Sequence, residues 1–508
     1  MASSDKCAVK TLHRRHEGLV FLSLLLLMLI ARLSIAQTTT SGGLTGVVAD
    51  SSGAVIPNAD VEIKNLSKGT TQSAITDREG GYRFSFLAPA RYTLTVARTG
   101  FETERRAVDV LLGPPVTVNI ALRVAQAKTT VSVMAEAPLV HADNGDVSTT
   151  FNTSQISEVP NPGNDLVYSV LTTPGALMAI DGPAGAGFSL LGMPATSNVI
   201  TIDGMNENEN GANVADVGSL NLLLGENQIE EVTVVGTPYS GQSGGVAGGQ
   251  IDYLTKSGGQ AFHGNLQYYW NGRVLNANDW FSNAYGSPRP FDNAHQWAGS
   301  LGGPVVKDKL FFFFDTEGLR VFTPQPPSTV LIPSLEFEHA TLTNIDSIFG
   351  ASSASDAFYN KIFNLYNAAP GAASALPGSG ISSDPSGCKG FVDPNDLNGP
   401  GHGNVPCARN FFWSRSQASQ DTLSSGRFDW NAGTNDRAFL RLQYDRSHNP
   451  AYSDPISSLF DSGVTGPPWW QGQISETHTV GSSAASQFLL AGSYHNSRYQ
   501  VNLSLIHI

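Results

Sequence analysis

Cysteine is scarce: the 508 residues hold three. That excludes a disulfide-framed scaffold. Cys388 and Cys407 share a Gly/Pro/Ser-rich stretch with no CxxC or HExxH spacing beside them, so no zinc site is read there. The expectation is a disulfide between Cys388 and Cys407 across a surface loop, in an oxidising compartment. Charge is sparse too, at 14%, and leans acidic: 30 Lys and Arg against 43 Asp and Glu, a net −13. Nucleic acid needs a basic face, so no nucleic-acid partner is expected. Beyond the N-terminus no segment approaches the ~18 consecutive apolar residues of a membrane-crossing helix. An exported chain of this kind is either soluble or a β-barrel. A barrel hides in composition because only alternate residues face lipid. The 41% hydrophobic content and 52 glycines fit that.

The N-terminus carries an export route. Lys10, Arg14 and Arg15 precede a largely apolar run over residues 19–31, short for a span and suited to a secretory signal. The small residues Ser34 and Ala36 place cleavage between Ala36 and Gln37. An anchor helix is the alternative, but Arg32 ends the apolar run early, and Cys7 lies ahead of it and is no lipoprotein acceptor. Removing residues 1–36 leaves 25 positive and 41 negative side chains, a net −16.

The rest reads as mainly β. Over residues 42–123 short strands alternate with turns. Val61 and Ile63 face one way and Glu62 and Lys64 the other; Tyr82, Phe84 and Phe86 alternate with Arg83 and Ser85; Tyr92, Leu94 and Val96 repeat the pattern. Residues 116–122 form the last strand, and the set suffices for one small β-sandwich. From His263 onward longer alternating strands appear. Leu266, Tyr268 and Trp270 alternate with Gln267 and Tyr269, and Leu310, Phe312 and Phe314 with Phe311, Phe313 and Asp315. Residues 423–445 form a hairpin. Ala438, Leu440, Leu442 and Tyr444 share one face, and Arg437, Arg441, Gln443 and Asp445 the other, with Phe439 the exception. That pattern suits a wall between lipid and a wet lumen; one sheet of a soluble sandwich is the alternative. The tryptophans Trp270, Trp280, Trp297, Trp413, Trp430, Trp469 and Trp470, with Phe281, cluster near strand ends as an interfacial girdle would.

Several catalytic and metal motifs fail on context. GQSGG at 241–245 fits the nucleophile-elbow spacing, but VAGG follows and starts no helix. Asp203, Asn206, Glu207, Asn208, Glu209 and Asn210 offer oxygens for Ca²⁺ without the EF-hand spacing, so a solvated polar loop is expected. Gly185 and Gly187 lack a third glycine and a βαβ setting. No catalytic residue, metal ligand or cofactor is assigned.

Two strings, KSGGQAFHGNLQYYWNGRVLNANDWF from Lys256 and SLGGPVVKDKLFFFFDTEGLR from Ser300, resemble the plug-to-barrel junction of TonB-dependent outer-membrane receptors, Oar-like subgroup. NVITIDGM (198–205), QIEEVTVV (228–235) and QIDYLTKSG (250–258) resemble the strands of the plug. GLTGVVADSSGAVIPNADVEIKN and TDREGGYRFSFLAPARYTLTVARTGF resemble the carboxypeptidase regulatory-like domain, a transthyretin-like sandwich in a carbohydrate-binding-like fold group. The peptidase itself is excluded, since no HxxE or HExxH occurs.

The resemblance implies this order: signal peptide 1–36, sandwich 40–124, linker 125–139, plug 140–258, and the N-terminal part of a transmembrane antiparallel barrel over 259–502, with a long loop at 326–410 holding one short helix near 356–366. In the linker, Thr129, Thr130, Val131, Ser132 and Val133 resemble a TonB box, an exposed strand to which a periplasmic partner adds its own. A final sandwich strand or plain linker is the alternative. A plugged transporter needs about 22 strands, and the 245 residues after His263 supply roughly eight to ten. Residues 503–508 read like a translated library adapter, so the expectation is that the native frame continues.

The implied function is TonB-energised uptake across the outer membrane of a Gram-negative bacterium, with no covalent chemistry. The implied partners are a TonB-type periplasmic protein, outer-membrane lipid and an extracellular ligand: siderophore, oligosaccharide or peptide. The alternative is an adhesion or surface-interaction protein on the same scaffold.

Overall fold

The computed structural model describes residues 40–501 apart from a set of shorter stretches, the longest being 126–147, 179–187, 209–223, 238–246 and 378–406. Three bodies follow one another along the chain.

The first is a two-sheet sandwich. One sheet runs Thr71–Ile75, Asp60–Asn65, Ala90–Ala97, Glu104–Val110; in the other, Gly42–Asp50 lies between Gly81–Leu87 and two short parallel strands, Val116–Thr117 and Ile120–Leu122. The alternating residues meet in the middle. Leu44, Val61, Ile63, Phe84, Leu94 and Val96 are buried, each contributing about 1.5–3 kcal/mol. Two details differ from the sequence reading. Phe86 takes a left-handed φ of 59° and leaves the alternation, so Leu87 fills the core instead. The last strand is split at Asn119, whose side chain accepts the Val47 N–H at 2.9 Å in place of a ladder bond.

The second body lies where the resemblance places the plug, and is called the plug below. Its five-stranded mixed sheet runs Met205–Asn206, Val199–Ile202, Gln250–Thr255, Ile229–Val235, Ser148–Asn152. Every residue of Gln250–Thr255 is buried, as in a strand covered on both faces. Helix Thr153–Glu158 starts at a capping box between Asn152 and Gln155, and Leu166–Leu171 at an Asp165 cap. Ile156, Val170, Ile200, Val232, Val234 and Ile251 pack together between helices and sheet. Asp203 and Gly204 turn the Val199–Ile202 strand back with φ of 50° and 83°, the geometry of a tight hairpin turn.

The third body is a nine-stranded antiparallel wall. Its strands His263–Gly272, Asn293–Val306, Leu310–Pro324, Ser416–Asn431 and Asp436–Tyr452 pair in chain order. Beyond them Trp469–Val480 pairs with residues 436–445, and Ser462–Thr465 with residues 448–452. The wall is open: His263–Gly272 and Ala484–Tyr494 each have one neighbour among the described residues. Its faces differ as alternation requires. Leu266, Leu442, Ile474 and Leu490 are exposed on one, while Asp315, Glu317, Arg441 and Gln473 are buried on the other. Gly258 joins plug to wall at a point of close approach, where a Cβ would lie 2.3 Å from the Phe312 carbonyl oxygen.

The short connections from Val306 to Leu310 and from Asn431 to Asp436 lie at one end of the wall, and long connections at the other. The longest, 325–415, is more than the irregular loop with one helix that its composition suggested. Ser328–Pro333, Ala408–Trp413 and Leu376–Pro377 form a sheet, with helices Leu335–Phe349 and Ala354–Asn367 beside it. Val330, Ile332, Ala369, Ala372 and Phe411 form its own core. Among the described residues, no helix is long and apolar enough to cross a membrane, which says nothing about strands.

Candidate functional site

Where plug meets wall, the lumen face is held by ions. The Asp203 carboxylate at the plug hairpin is fixed first by its own domain, accepting the Thr255 N–H at 3.0 Å and the Thr255 hydroxyl at 2.7 Å. Two wall arginines then reach it: Arg427 Nη1 at 2.9 Å and Arg441 Nε at 3.6 Å. Arg441 also contacts Glu207 at 3.3 Å, and the Gln471 amide donates to the same carboxylate. Arg427 forks onto Asp429, which Lys68 of the sandwich meets at 3.1 Å. The result is an alternating chain, Lys68–Asp429–Arg427–Asp203–Arg441–Glu207, whose side chains are at most 14% exposed. Each charge is answered by its neighbour. Removing one partner of a buried pair costs about 3–5 kcal/mol, because the other is left uncompensated.

A second contact holds the plug turn before Ile229–Val235. Glu317 of the wall accepts the N–H groups of Asn227 at 2.8 Å and Gly225 at 3.3 Å, and the Asn227 amide donates to Asp315 at 2.6 Å. Burial pushes the nearby Glu226 carboxyl up to about 7.

The sandwich sits at the short-turn end. Gln260 donates from its backbone to Ser67 O at 2.9 Å and from its side chain to Lys68 O at 2.7 Å. Arg437 bonds the Phe86 carbonyl, Gln487 meets Thr40 at 2.6 Å, and Leu112 N–H donates to Glu231 of the plug at 2.6 Å. A cavity of about 630 Å³ remains between the three bodies, lined in part by Lys68, Arg91, Glu230, Gln260, His263 and Arg427. Desolvation lowers the pKa of Lys68 and outweighs the pull of Asp429.

The polar run at 203–208 therefore corrects an expectation. Asn206 is exposed as expected and Glu209 and Asn210 lie outside the described residues, but two of the run's acids are not solvated. Asp203 and Glu207 are buried against arginines and have no free oxygens for Ca²⁺, because cations of the wall already occupy them. Arg441 and Gln443 face the lumen as the alternation required. Lys68, Glu231 and the Arg427–Asp429 pair were not singled out. The only signal was Arg427 and Asp429 two apart on one strand face, since their partners are more than 200 residues distant. Cys407 is buried and disulfide-bonded; Cys388 lies outside the described residues. So do Thr129, Thr130, Val131, Ser132 and Val133, Ala36 and Gln37, the 241–245 motif, Gly185 and Gly187.

Comparison with known proteins agrees with this architecture. The outer membrane beta barrel domain matches residues 254–504, and the carboxypeptidase regulatory-like domain residues 43–123. A curated relative, the TonB-dependent transporter Oar of Myxococcus xanthus, is 25% identical over 304 residues, covering 56% of this chain and 27% of that protein. The chain is thus similar, through its barrel domain, its N-terminal sandwich and this relative, to the Oar-like TonB-dependent receptors. It spans about a quarter of the length of that curated relative. Among solved structures, the siderophore receptor PirA from Acinetobacter baumannii matches at 12% identity and TM-score 0.39, over 67% of this chain and 39% of that one. The outer membrane transporter YddB from Escherichia coli matches at 13% and 0.40, over 66% and 37%. The wall matches an outer membrane beta barrel domain, and the curated relative is a transporter.

Proposed function

We propose that the receptor takes up an extracellular ligand across the outer membrane, driven by a TonB-type periplasmic partner. The observation that carries this reading is the plug seated on the lumen face by the buried ion chain through Asp203, Arg427 and Arg441. Such a contact holds the plug in one position, and only work done on the plug releases it, because each step of release strips a partner from a buried charge. The similarity to a TonB-dependent transporter supports that source of work.

In this reading the signal peptide is removed between Ala36 and Gln37. Thr129, Thr130, Val131, Ser132 and Val133 are the strand that the partner pairs with. The folded cap over residues 328–413 lies on the ligand side, with Cys388 pairing to Cys407 across it. The ligand is a siderophore, an oligosaccharide or a peptide, and the sandwich domain favours carbohydrate. Uptake of labelled ligand in cells with and without the TonB-type partner tests the proposal. Accumulation should vanish without the partner while surface binding persists. Accumulation that is unchanged would leave the adhesion reading.

A further inference from the structure

Most buried carboxylates on the lumen side have an evident partner. Asp203, Glu207 and Asp429 meet cations; Glu317 accepts backbone N–H groups; Asp252 accepts from Thr201 and Gln250. Asp421 differs. It is 1% exposed, and among the described residues neither carboxylate oxygen has a partner in hydrogen-bond geometry. Its neighbour is another acid. Asp421 stands opposite Ser447 and Leu423 opposite Asp445, so Asp421 and Asp445 are diagonal neighbours on the lumen face. The diagonal placement brings two acids together on one face, and no Lys or Arg among the described residues pairs with either.

Two facing carboxylates repel unless something positive lies between them: a shared proton or a cation. The surroundings favour the cation. Asp445 also stands opposite Trp469, whose buried indole N–H has no acceptor among the described residues. The Trp469 ring packs against His495, with centroids 5.3 Å apart, and His495 acts electrostatically on Asp445. Ser447 and, one pair further along, Ser419 bonded to Asn449 add neutral oxygens on the same face. A dense patch of oxygen donors bearing two negative charges is the chemistry of a hard divalent cation. An indole N–H left without an acceptor is supplied with one by a water molecule carried on such an ion.

We propose that Asp421 and Asp445 form a binding site for a hard divalent cation of the Ca²⁺ or Mg²⁺ class on the lumen face of the wall. The ion ties the Ser416–Asn431 strand to Asp436–Tyr452 on the long-loop side of the ion chain. It is a structural site, independent of whether the receptor imports.

The test is equilibrium binding of radioactive Ca²⁺, with Mg²⁺ as competitor, to the full chain folded in detergent micelles, alongside Asp421→Asn and Asp445→Asn. One ion per chain is expected, bound at least tenfold more weakly by either variant. The ion should raise the unfolding temperature of the unaltered protein and not of the variants. Tb³⁺ in place of Ca²⁺ gives a readout needing neither variant: Trp469 beside the site should sensitise its emission, and excess Ca²⁺ should quench it. Failure to bind at millimolar ion, or binding unchanged in both variants, overturns the proposal. So does an unfolding temperature that falls as pH rises and ignores the ion, because a shared proton then holds the pair together.

Discussion

The backbone N–H of Leu112 donates to the Glu231 carboxyl at 2.6 Å, joining the sandwich to the plug through one buried acid. Glu231 is 4% exposed, and burial is the chief force on it, pushing its pKa from 4.5 up to about 7. The backbone bond from Leu112 opposes the rise without cancelling it.

That shift gives the contact a pH dependence of definite sign. A carboxyl raised on folding binds its proton more tightly in the folded state. Its contribution is therefore full below pH 4.5 and is lost as pH rises through about 7. Hydrogen exchange at the Leu112 amide should lose protection across that window, after correction for intrinsic rates, and Glu231→Gln should flatten the profile. Identical profiles in the two proteins would remove Glu231 from the contact.

Arg441 is shared by Asp203 and Glu207, so its loss is felt twice. Arg441→Met should destabilise the seated plug by about 3–5 kcal/mol, read as lowered urea resistance of the plug to protease. Adding Glu207→Leu should recover part of that, because an unpaired buried charge goes with it. A loss under about 1 kcal/mol would mean that water already screens the pair.

Leu442 and Gln443 are adjacent and face opposite sides of the wall. Leu442→Arg should cost about 2–4 kcal/mol in a lipid bilayer, since that face meets hydrocarbon. Gln443→Arg, on the wet side, should cost less. Folding titrations into vesicles measure both, and equal costs would deny that the apolar face is the lipid face.

In the linker, Val131→Pro removes one backbone donor and fixes φ, which strand addition does not tolerate. If residues 129–133 are the TonB box, as proposed, binding of a purified TonB C-terminal domain should fall at least tenfold, with outer-membrane insertion unchanged. Undiminished binding would move the box elsewhere in the chain.

Much of the fold was legible because period-2 alternation survives in single strands. Val61 and Ile63 are buried together, and Leu442 is exposed between buried Arg441 and Gln443, as their spacing assigned. The plug strands were legible through resemblance rather than periodicity, since Gln250–Thr255 is buried on both sides and shows no alternation. What could not be read were partnerships across distance. Nothing local to Lys68 points to Asp429, or local to Asp203 to Arg427. The cap over 328–413 was hidden for another reason: its core is small and scattered between glycines, prolines and serines, so no window of the sequence shows a period.

The ion chain through Asp203 and Glu207 also has a polarity. With the plug seated, its six charges cancel. A plug drawn away carries Asp203 and Glu207 with it, and the wall keeps Arg427 and Arg441 against Asp429 alone. Under the proposed uptake, the emptied seat beside Arg427 and Arg441 would carry more positive charge than the seated one and would favour an anionic passenger at that point.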